Sequence, residues 1–309
     1  MPKKRAKKTN NETIVIALGG NTLLRAGEKF SIHQEVKHIE EACREIRKIS
    51  NLGHRIVITH GNGPQVGDIL LQQKMSAKVA PPMPLDVCGA QTQGEIGYLL
   101  QRTFRNILNK PVITVVTQTL VNDKDPAFKN PTKFIGPFFK SPANGLKKDS
   151  NRGYRRVVAS PEPRRIIESN EIKKLVQEGF IVIAGGGGGV PVVRRRGKLE
   201  GIEAVVDKDL ASEKLAIDIG ADTLLILTDV DGVYLNYGRP SQRLVKEANL
   251  REVEKYAEQG HFAAGSMGPK IQAAYRFVKN GGKRAIITSP SFALRALGGS
   301  RGTTIRSSK

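Results

Sequence analysis

The sequence predicts an open three-layer αβα sandwich, in which a mainly parallel sheet lies between helices and a small lid subdomain protrudes. Three observations predict this fold. Short runs rich in Ile, Val and Leu alternate with amphipathic stretches along most of the 309 residues, which is typical of a parallel sheet covered on both faces. Several of these runs end in glycine. One long segment rich in Pro, Gly and Lys interrupts the alternation.

Six of the apolar runs are predicted to be strands of one buried sheet. Each is short and rich in β-branched residues or leucine, as expected for strands that are covered on both faces. They are residues 14–18, 55–59, 112–116, 180–184, 223–227 and 284–288.

Helices are predicted between the strands from the spacing of apolar side chains. Val36, Ile39 and Ile46 recur with Cys43 at intervals of three to four residues, so they would share one face of a helix. Residues 93–108 and 164–177 have a similar pattern.

The chain is predicted to form one domain at residues 13–309, preceded by a basic, disordered tail at residues 1–12. A lid subdomain is predicted at about residues 121–160, where Pro, Gly, Asn, Lys and Arg are dense. An excursion of this length inside an α/β domain is typically functional. No apolar run approaches the roughly 18 residues of a membrane span. The tail has no apolar segment behind it, so a secretory signal is not expected either.

The cysteine content and the net charge limit the classes of function. Cys43 and Cys88 lack metal-ligand spacing, so reduced buried thiols in a cytoplasmic protein are expected. The formal net charge of +21 is compatible with nucleic-acid binding, with attraction for small anions or with a solvated basic surface. Trp is absent and aromatic residues make up 5% of the chain, which leaves little for bases to stack on. Specific nucleic-acid binding is therefore not expected, and a basic nucleic-acid-binding protein is the alternative of a different class.

Three predicted strands end in glycine-rich turns, at residues 19–21, 61–63 and 185–189. Glycine lets backbone N–H groups approach an anion, and a helix that begins after the turn adds the positive end of its dipole. Ligands of open α/β sheets bind beyond the carboxyl ends of the strands, so the turns predict a shared anion site. For residues 185–189, tight packing alone is an equal alternative.

The turns do not match the common nucleotide-binding or hydrolase motifs. Residues 61–63 do not continue into the dinucleotide fingerprint, and neither a Walker A loop nor a nucleophile elbow occurs. His60 is interpreted as a turn residue that satisfies backbone groups rather than as a catalytic one.

Motifs that follow one another from about residue 13 to residue 305 resemble those of carbamate kinases. They are ALGGN (17–21), THGNGPQVG (59–67), PLDVCGAQTQGEIGY (84–98), DPAFKNPTK (125–133), RRVVASPEP (155–163), EAVVDKDLASEKLA (203–216), LILTDVDGVY (225–234) and GHFAAGSMGPK (260–270). The resemblance implies the amino-acid-kinase fold, usually as a homodimer, and a role in arginine metabolism. It also implies reversible phosphoryl transfer between carbamoyl phosphate and ADP, giving ATP and carbamate. Mg²⁺ would be held mainly by the nucleotide phosphates, without protein ligands.

The resemblance also implies a set of site residues. The turns that hold the transferred phosphoryl group would be formed by Gly19, Gly20, Asn21, Gly61, Asn62 and Gly63. The lysines that face the phosphates would be Lys133, Lys208 and Lys270, with Asp209 orienting them. From the residues themselves, Asp207 and Asp209 could both cap the helix that follows; Asp207 is expected to cap it and Asp209 to orient the lysines. The nucleotide would contact Asp229, Val230, Tyr234, Ser266, Met267 and Lys270.

Three residues depart from the family pattern, namely Phe134 and Phe139 in the lid segment and Thr22 in the first turn. They make substrate affinity less predictable than the type of reaction. The alternative within the same fold is another small-acid kinase. Such kinases often carry a lysine on the first strand before the Gly-Gly pair, whereas this chain has Ile16, Ala17 and Leu18 there, which favours the carbamate kinases. Since both nucleophiles of their reaction are anionic oxygens, charge stabilisation is expected to matter more than a general base.

Overall fold

The computed structural model describes residues 11–20, 31–149, 153–262 and 267–307. The predicted basic tail thus lies almost entirely outside the described residues. An eight-stranded sheet forms the centre, in the order β15-β17-β16-β12-β1-β2-β9-β3. Its strands are β1 (Thr13–Leu18), β2 (Arg55–His60), β3 (Val112–Thr114), β9 (Ile181–Ile183), β12 (Thr223–Leu227), β15 (Glu247–Asn249), β16 (Arg284–Thr288) and β17 (Thr303–Arg306).

All six predicted strands lie in this sheet, and its neighbouring strands are parallel except β16 and β17. The mainly parallel sheet of the prediction is therefore confirmed. β1 is central, between β12 and β2, so its carboxyl end lies beside the carboxyl ends of both neighbours. This position places the first two glycine turns next to each other.

Helices cover both faces of the sheet. They are α1 (Ile32–Ser50), α2 (Gly63–Ser76), α3 (Leu85–Leu108), α4 (Ser169–Gln177), α5 (Lys208–Ile219), α6 (Leu250–Glu258), α7 (Met267–Lys279) and α8 (Ala293–Leu297). Alternate residues of β1 enter different cores, because successive strand side chains point to opposite faces. Val15 and Ala17 join the core with α4, α5 and α7, whereas Ile14 and Ile16 join the core with α1, α3 and α8.

One helix begins later in the chain than the sequence pattern predicted. The stretch 164–177 was predicted to be helical throughout, but the helix starts only at Ser169. Before it, β8 (Arg165–Ile166) pairs with β4 (Gln118–Leu120) in a second sheet. That sheet has the order β11-β10-β4-β8, with β10 (Val190–Arg195) and β11 (Lys198–Gly201). A strand partner 47 residues away in sequence, Thr119 for Ile166, overrides the local helical pattern.

The segment predicted as a lid contains a three-stranded antiparallel sheet of β5 (Lys133–Phe139), β6 (Leu146–Lys148) and β7 (Tyr154–Val158). This sheet, called here the β5–β7 sheet, rests on α2 through two glycines. A Cβ added to Gly67 would lie 1.8 Å from the Cα of Gly136, which has a φ of +73°. Arg155 of β7 donates from Nε to the Gly136 carbonyl at 2.9 Å. The backbones of α2 and β5 therefore touch directly.

A hairpin of β13 (Val233–Leu235) and β14 (Arg243–Val245) completes the strands that the structure describes.

Cys43 and Cys88 are buried and carry free thiols. Burial raises the pKa of the Cys43 thiol to about 12. Within the described residues, no helix combines the length and the apolar character that crossing a membrane requires.

Candidate active site

The first glycine turn continues β1 at the carboxyl edge of the sheet. The Gly19 N–H donates to the Leu227 carbonyl at 3.0 Å, so this amide extends the sheet instead of facing a ligand. Gly20 comes next, and a Cβ added there would meet no atom within 4 Å. Asn21 and Thr22 lie outside the described residues. Gly20 therefore faces open space at the end of β1.

The second glycine turn lies against the first. The Gly61 N–H donates to the Leu18 carbonyl at 3.3 Å, and a Cβ added to Gly61 would lie 3.4 Å from Gly20 and 3.7 Å from Cδ of Lys208. Helix α2 begins at Gly63. The N–H groups of a helix's first turn have no carbonyl partner within the helix. Those of α2 and its dipole are therefore suited to an anion.

The Asn62 side chain points into the protein and supports this turn. Its Nδ2 donates to Thr92 Oγ1 at 2.8 Å, and Thr92 in turn donates to the Gly89 carbonyl at 2.6 Å. Asn62 is only 5% exposed. Its side chain ties the turn to α3, so a contact with the phosphoryl group would have to come from its backbone.

The five-glycine turn supports the second turn from inside. Gly186, Gly187 and Gly188 are buried. A Cβ added to Gly187 would lie 2.1 Å from Nδ2 of Asn62, and one added to Gly186 would lie 2.5 Å from Nε2 of His60. Tight packing, one of the two alternatives left open by the sequence, therefore accounts for this turn.

His60 fills space beneath the second turn. It is 1% exposed, and its Nδ1 is 2.9 Å from the Gly61 carbonyl oxygen. Burial, with a smaller contribution from Lys208, lowers the pKa of His60 to about 4 although the Gly61 carbonyl opposes the shift. The ring is thus uncharged at neutral pH and buried, which agrees with the supporting role predicted for it.

A carboxylate and two lysines meet beside the two turns. Asp209 Oδ1 is 2.5 Å from Nζ of Lys208, and its Oδ2 is 3.1 Å from Nζ of Lys270. Asp209 and Lys208 stand in the first turn of α5, and Lys270 in the first turn of α7. One carboxylate therefore holds two ammonium groups from different helices at the same place.

The charges of this group depend on one another. Burial alone would raise the pKa of Asp209, but Lys208 and Lys270 outweigh it and hold this pKa below the ordinary value. Burial and the neighbouring Lys270 lower the pKa of Lys208, although Asp209 opposes the shift. Asp209 is therefore the ionised partner on which the two cations depend.

Lys133 joins the group from the β5–β7 sheet. Its Nζ is 2.5 Å from Oδ2 of Asp207. Asp207 is also the N-cap of α5, since its Oδ1 accepts from the N–H groups of Asp209 and Leu210. The predicted capping residue thus has a second role, because it holds the lysine that comes from the lid segment.

A cleft of about 660 Å³ opens next to this group. Gly19, Gly20 and Lys270 line it, so it is continuous with the first turn and with one of the two lysines that Asp209 holds. The predicted nucleotide residues Asp229, Val230, Tyr234 and Met267 line it as well, whereas Ser266 lies outside the described residues.

The sequence interpretation missed several residues that line the cleft. Tyr237, Arg239 and His261 lie on its wall. The Tyr234 and Tyr237 rings are 6.0 Å apart between centroids, and Tyr237 is 65% exposed. Two tyrosines three residues apart, followed by an arginine, are the signal in the sequence that would have found this wall.

The side chains at the site determine whether the protein itself could bind the expected Mg²⁺. Among the described residues, no group of three or more His, Cys, Asp or Glu side chains is arranged to hold a metal ion. Asp209 and Asp207 are each already bound to lysine. These side chains fit a cation that arrives with the nucleotide phosphates better than one bound by protein carboxylates.

Comparison with known proteins identifies the family. The model of the amino acid kinase family matches residues 12–289. A carbamate kinase of Pyrococcus horikoshii is 48% identical over 95% of this chain and 99% of its own length. One of Trichomonas vaginalis is 47% identical over 94% of this chain and 98% of its own.

Solved structures agree with the sequence comparison. Carbamate kinase from Giardia lamblia bound to AMP-PNP is 44% identical, with a TM-score of 0.91 over 97% of this chain and 100% of that one. An N-acetylglutamate synthase from Neisseria gonorrhoeae, at 17% identity and a TM-score of 0.57, shares the fold alone. This chain, a phosphotransferase, therefore belongs to the carbamate kinases of the amino acid kinase family.

Proposed function

We propose that the site transfers a phosphoryl group reversibly between carbamoyl phosphate and ADP, giving ATP and carbamate. The observation that carries the proposal is the position of Lys208, Asp209 and Lys270. Lys208 lies against Gly61 of the second turn, Lys270 lines the 660 Å³ cleft, and Asp209 holds both lysines. A phosphoryl group at the start of α2 and a nucleotide in the cleft would meet at these lysines. The AMP-PNP-bound Giardia relative supports nucleotide binding in this fold.

Each group at the site has a separate task in this reaction. The N–H groups at the start of α2 bind the phosphoryl oxygens, and Lys208 neutralises charge from the side of the first two turns. Lys270, which also lines the cleft, neutralises the nucleotide phosphates, and Lys133 approaches from the β5–β7 sheet. Because both nucleophiles are already anionic, the site needs fixed positive charge rather than a proton acceptor.

Mg²⁺ belongs to the proposed reaction as a partner of the nucleotide. It would be held by phosphate oxygens in the cleft, and it would neutralise negative charge on the transferred group. Lys270 and the open face at Gly20 border the space that these phosphates would occupy.

We further propose a cytoplasmic homodimer that acts in arginine metabolism. Val87 and Tyr98 support the dimer, because both are exposed on α3, at 37% and 58%. They stand eleven residues apart, which is about three helical turns, and so they share one face. Sedimentation equilibrium checks the assembly. A dimer that becomes a monomer in Tyr98→Lys agrees with the proposal, and a monomeric unchanged protein contradicts it.

The direct test is a coupled assay of ATP formation from ADP and carbamoyl phosphate. In parallel, the same protein receives ATP with acetylglutamate or aspartate, the substrates of other small-acid kinases. The expected result is ATP formation with carbamoyl phosphate and no ADP formation with the other two acids. Turnover of acetylglutamate or aspartate without turnover of carbamoyl phosphate would contradict the proposal.

A further inference from the structure

A buried carboxyl group lies beside the phosphoryl-binding turn, and the proposed reaction does not use it. Glu35, in the first turn of α1, is 1% exposed, and Gln65, the third residue of α2, is 3% exposed. Nε2 of Gln65 donates to Oε1 of Glu35 at 3.0 Å. Gln65 stands two residues after Gly63, so this contact joins the starts of α1 and α2 next to the turn.

The pair has one unsatisfied oxygen on each side. Oε2 of Glu35 and Oε1 of Gln65 are buried and have no hydrogen-bond donor. An ionised carboxylate and an amide oxygen can only accept hydrogen bonds, and leaving both unpaired in the interior is unfavourable. One proton on Oε2 of Glu35 would remove both problems if it were donated to Oε1 of Gln65. The acid and the amide would then form a cyclic pair with two hydrogen bonds.

The surroundings of Glu35 favour the proton. Burial, and to a smaller extent the charge of Glu95 on α3, raises the pKa of Glu35 to about 7. The hydrogen bond from Gln65 opposes this shift. Glu95 is itself close to Asp68 on α2. His38, one turn further along α1, is also buried.

We propose that Glu35 is a positioning residue that stays protonated and paired with Gln65 when the phosphoryl group binds. The uncharged pair fixes the first turn of α2 while adding no negative charge next to an anion site. Loss of the proton breaks one of the two hydrogen bonds. It also places a buried negative charge about one helical turn from the N–H groups that receive the phosphoryl group. Anion binding and the proton on Glu35 are thereby coupled. This inference rests on the proposed function.

The experiment compares the unchanged protein with Glu35→Gln between pH 5.5 and 8.5. A glutamine at position 35 keeps two amide-type hydrogen bonds with Gln65 at every pH. The KM for carbamoyl phosphate is expected to rise as the pH passes 7 in the unchanged protein and to stay flat in Glu35→Gln. The rise is roughly tenfold, as for two charges on the order of 10 Å apart at an effective dielectric constant of about 20. The kcat is expected to have the same pH dependence in both proteins.

Two control variants sharpen the comparison. The double variant Glu35→Gln/Gln65→Glu exchanges the acid and the amide, so the pH dependence of KM should return. Glu40→Gln removes an exposed carboxylate of the same helix, which pairs with Arg44, and should behave like the unchanged protein. A KM with the same pH dependence in Glu35→Gln as in the unchanged protein would overturn the proposal.

A readout without activity separates this inference from the proposed function. Because the pKa of Glu35 is raised, its protonation contributes stability that is fully present below its ordinary pKa and is lost as the pH rises through about 7. The Tm should therefore fall over this range in the unchanged protein relative to Glu35→Gln. Infrared difference spectra should show a protonated carboxyl band that Glu35→Gln lacks. If both signals appear without turnover of carbamoyl phosphate, the proposed function fails and the acid–amide pair stands; if neither appears, the pair is wrong.

Discussion

Two buried carboxyl groups near the carboxyl edge of the sheet differ in their partners and therefore in their charge. Asp209 lies between the ammonium groups of Lys208 and Lys270 and stays ionised. Glu35 faces an amide and another carboxylate, and its pKa is raised to about 7, chiefly by burial. The comparison teaches that burial alone does not set the charge of an acid. At Asp209 two paired cations outweigh desolvation, whereas at Glu35 burial dominates and the acid keeps its proton up to about pH 7.

The same difference gives the two acids opposite effects on stability. The lowered pKa of Asp209 contributes stability above its ordinary value of 3.8, and this is lost as the pH falls through the still lower folded-state pKa. The raised pKa of Glu35 contributes stability below its ordinary value of 4.5, and this is lost as the pH rises toward about 7. Ionised Asp209 thus stabilises the fold at pH values above its pKa, and protonated Glu35 stabilises the fold at pH values below its pKa.

The largest effect is expected where the ionised acid is made neutral. Asp209→Asn leaves Lys208 and Lys270 without a counter-charge, so kcat should fall by roughly two to three orders of magnitude, as when a preorganised electrostatic group is lost. Unpaired buried cations should also lower the free energy of unfolding by about 3–5 kcal/mol. Steady-state kinetics and urea unfolding measure the two changes. Asp123→Asn, which affects an exposed pair with Arg195, is the control, and equal losses in both variants would refute the role of Asp209.

The lysines are expected to rank by burial and by the number of their partners. Lys208→Met and Lys270→Met should each lower kcat/KM for ATP formation by roughly two orders of magnitude. Lys133→Met should lower it less, because this side chain is 34% exposed and pairs with Asp207 rather than Asp209. Lys214→Met is the control, since Lys214 pairs with Asp218 on the same helix as Lys208. Near-normal turnover in all three lysine variants, with the fold intact, would contradict the assignment.

A smaller effect is expected at the second glycine turn, residues 61–63, which lies between Asp209 and Glu35. Thr92→Val removes the acceptor of Asn62 Nδ2 and leaves that buried amide unpaired, which destabilises a protein by about 1–3 kcal/mol. The KM for carbamoyl phosphate should rise several-fold, while the KM for ADP should not change. Thr103→Val, at a buried threonine about three helical turns further along α3, is the matched control. An unchanged KM for carbamoyl phosphate would show that Asn62 does not set the shape of the turn.

The smallest effect is expected when the neighbour of the neutral acid is changed. Glu95→Gln removes the second cause of the raised pKa of Glu35 but leaves burial, the largest one. The pH at which the Tm falls should therefore move lower by a fraction of a pH unit, and protonation of Glu35 should persist below it. Calorimetry across pH measures the midpoint. A midpoint near the ordinary value of 4.5 would mean that Glu95, not burial, governs Glu35.

Most strands and helices of the fold could be predicted from local sequence patterns. The six strands were predictable because a run of β-branched residues buried on both faces marks a parallel strand wherever it occurs. The helical face of Val36, Ile39 and Ile46 was predictable for a similar reason. The segment before Ser169 was not, because the partner of Ile166 is Thr119, and a strand pairing across such a distance leaves no local periodicity.

The motifs also indicated which residues belong to the site, since glycine turns and lysines in a family pattern mark an anion site from sequence. Their individual tasks depended on distances between remote segments. The chain order does not tell that Asp207 holds Lys133, that the Asn62 side chain points toward Thr92, or that Gly61 touches Gly20. Nor does it tell that Glu35 meets Gln65 and Glu95. Composition and periodicity are properties of neighbours along the chain, whereas the charge of a buried acid depends on which distant groups the fold brings to it.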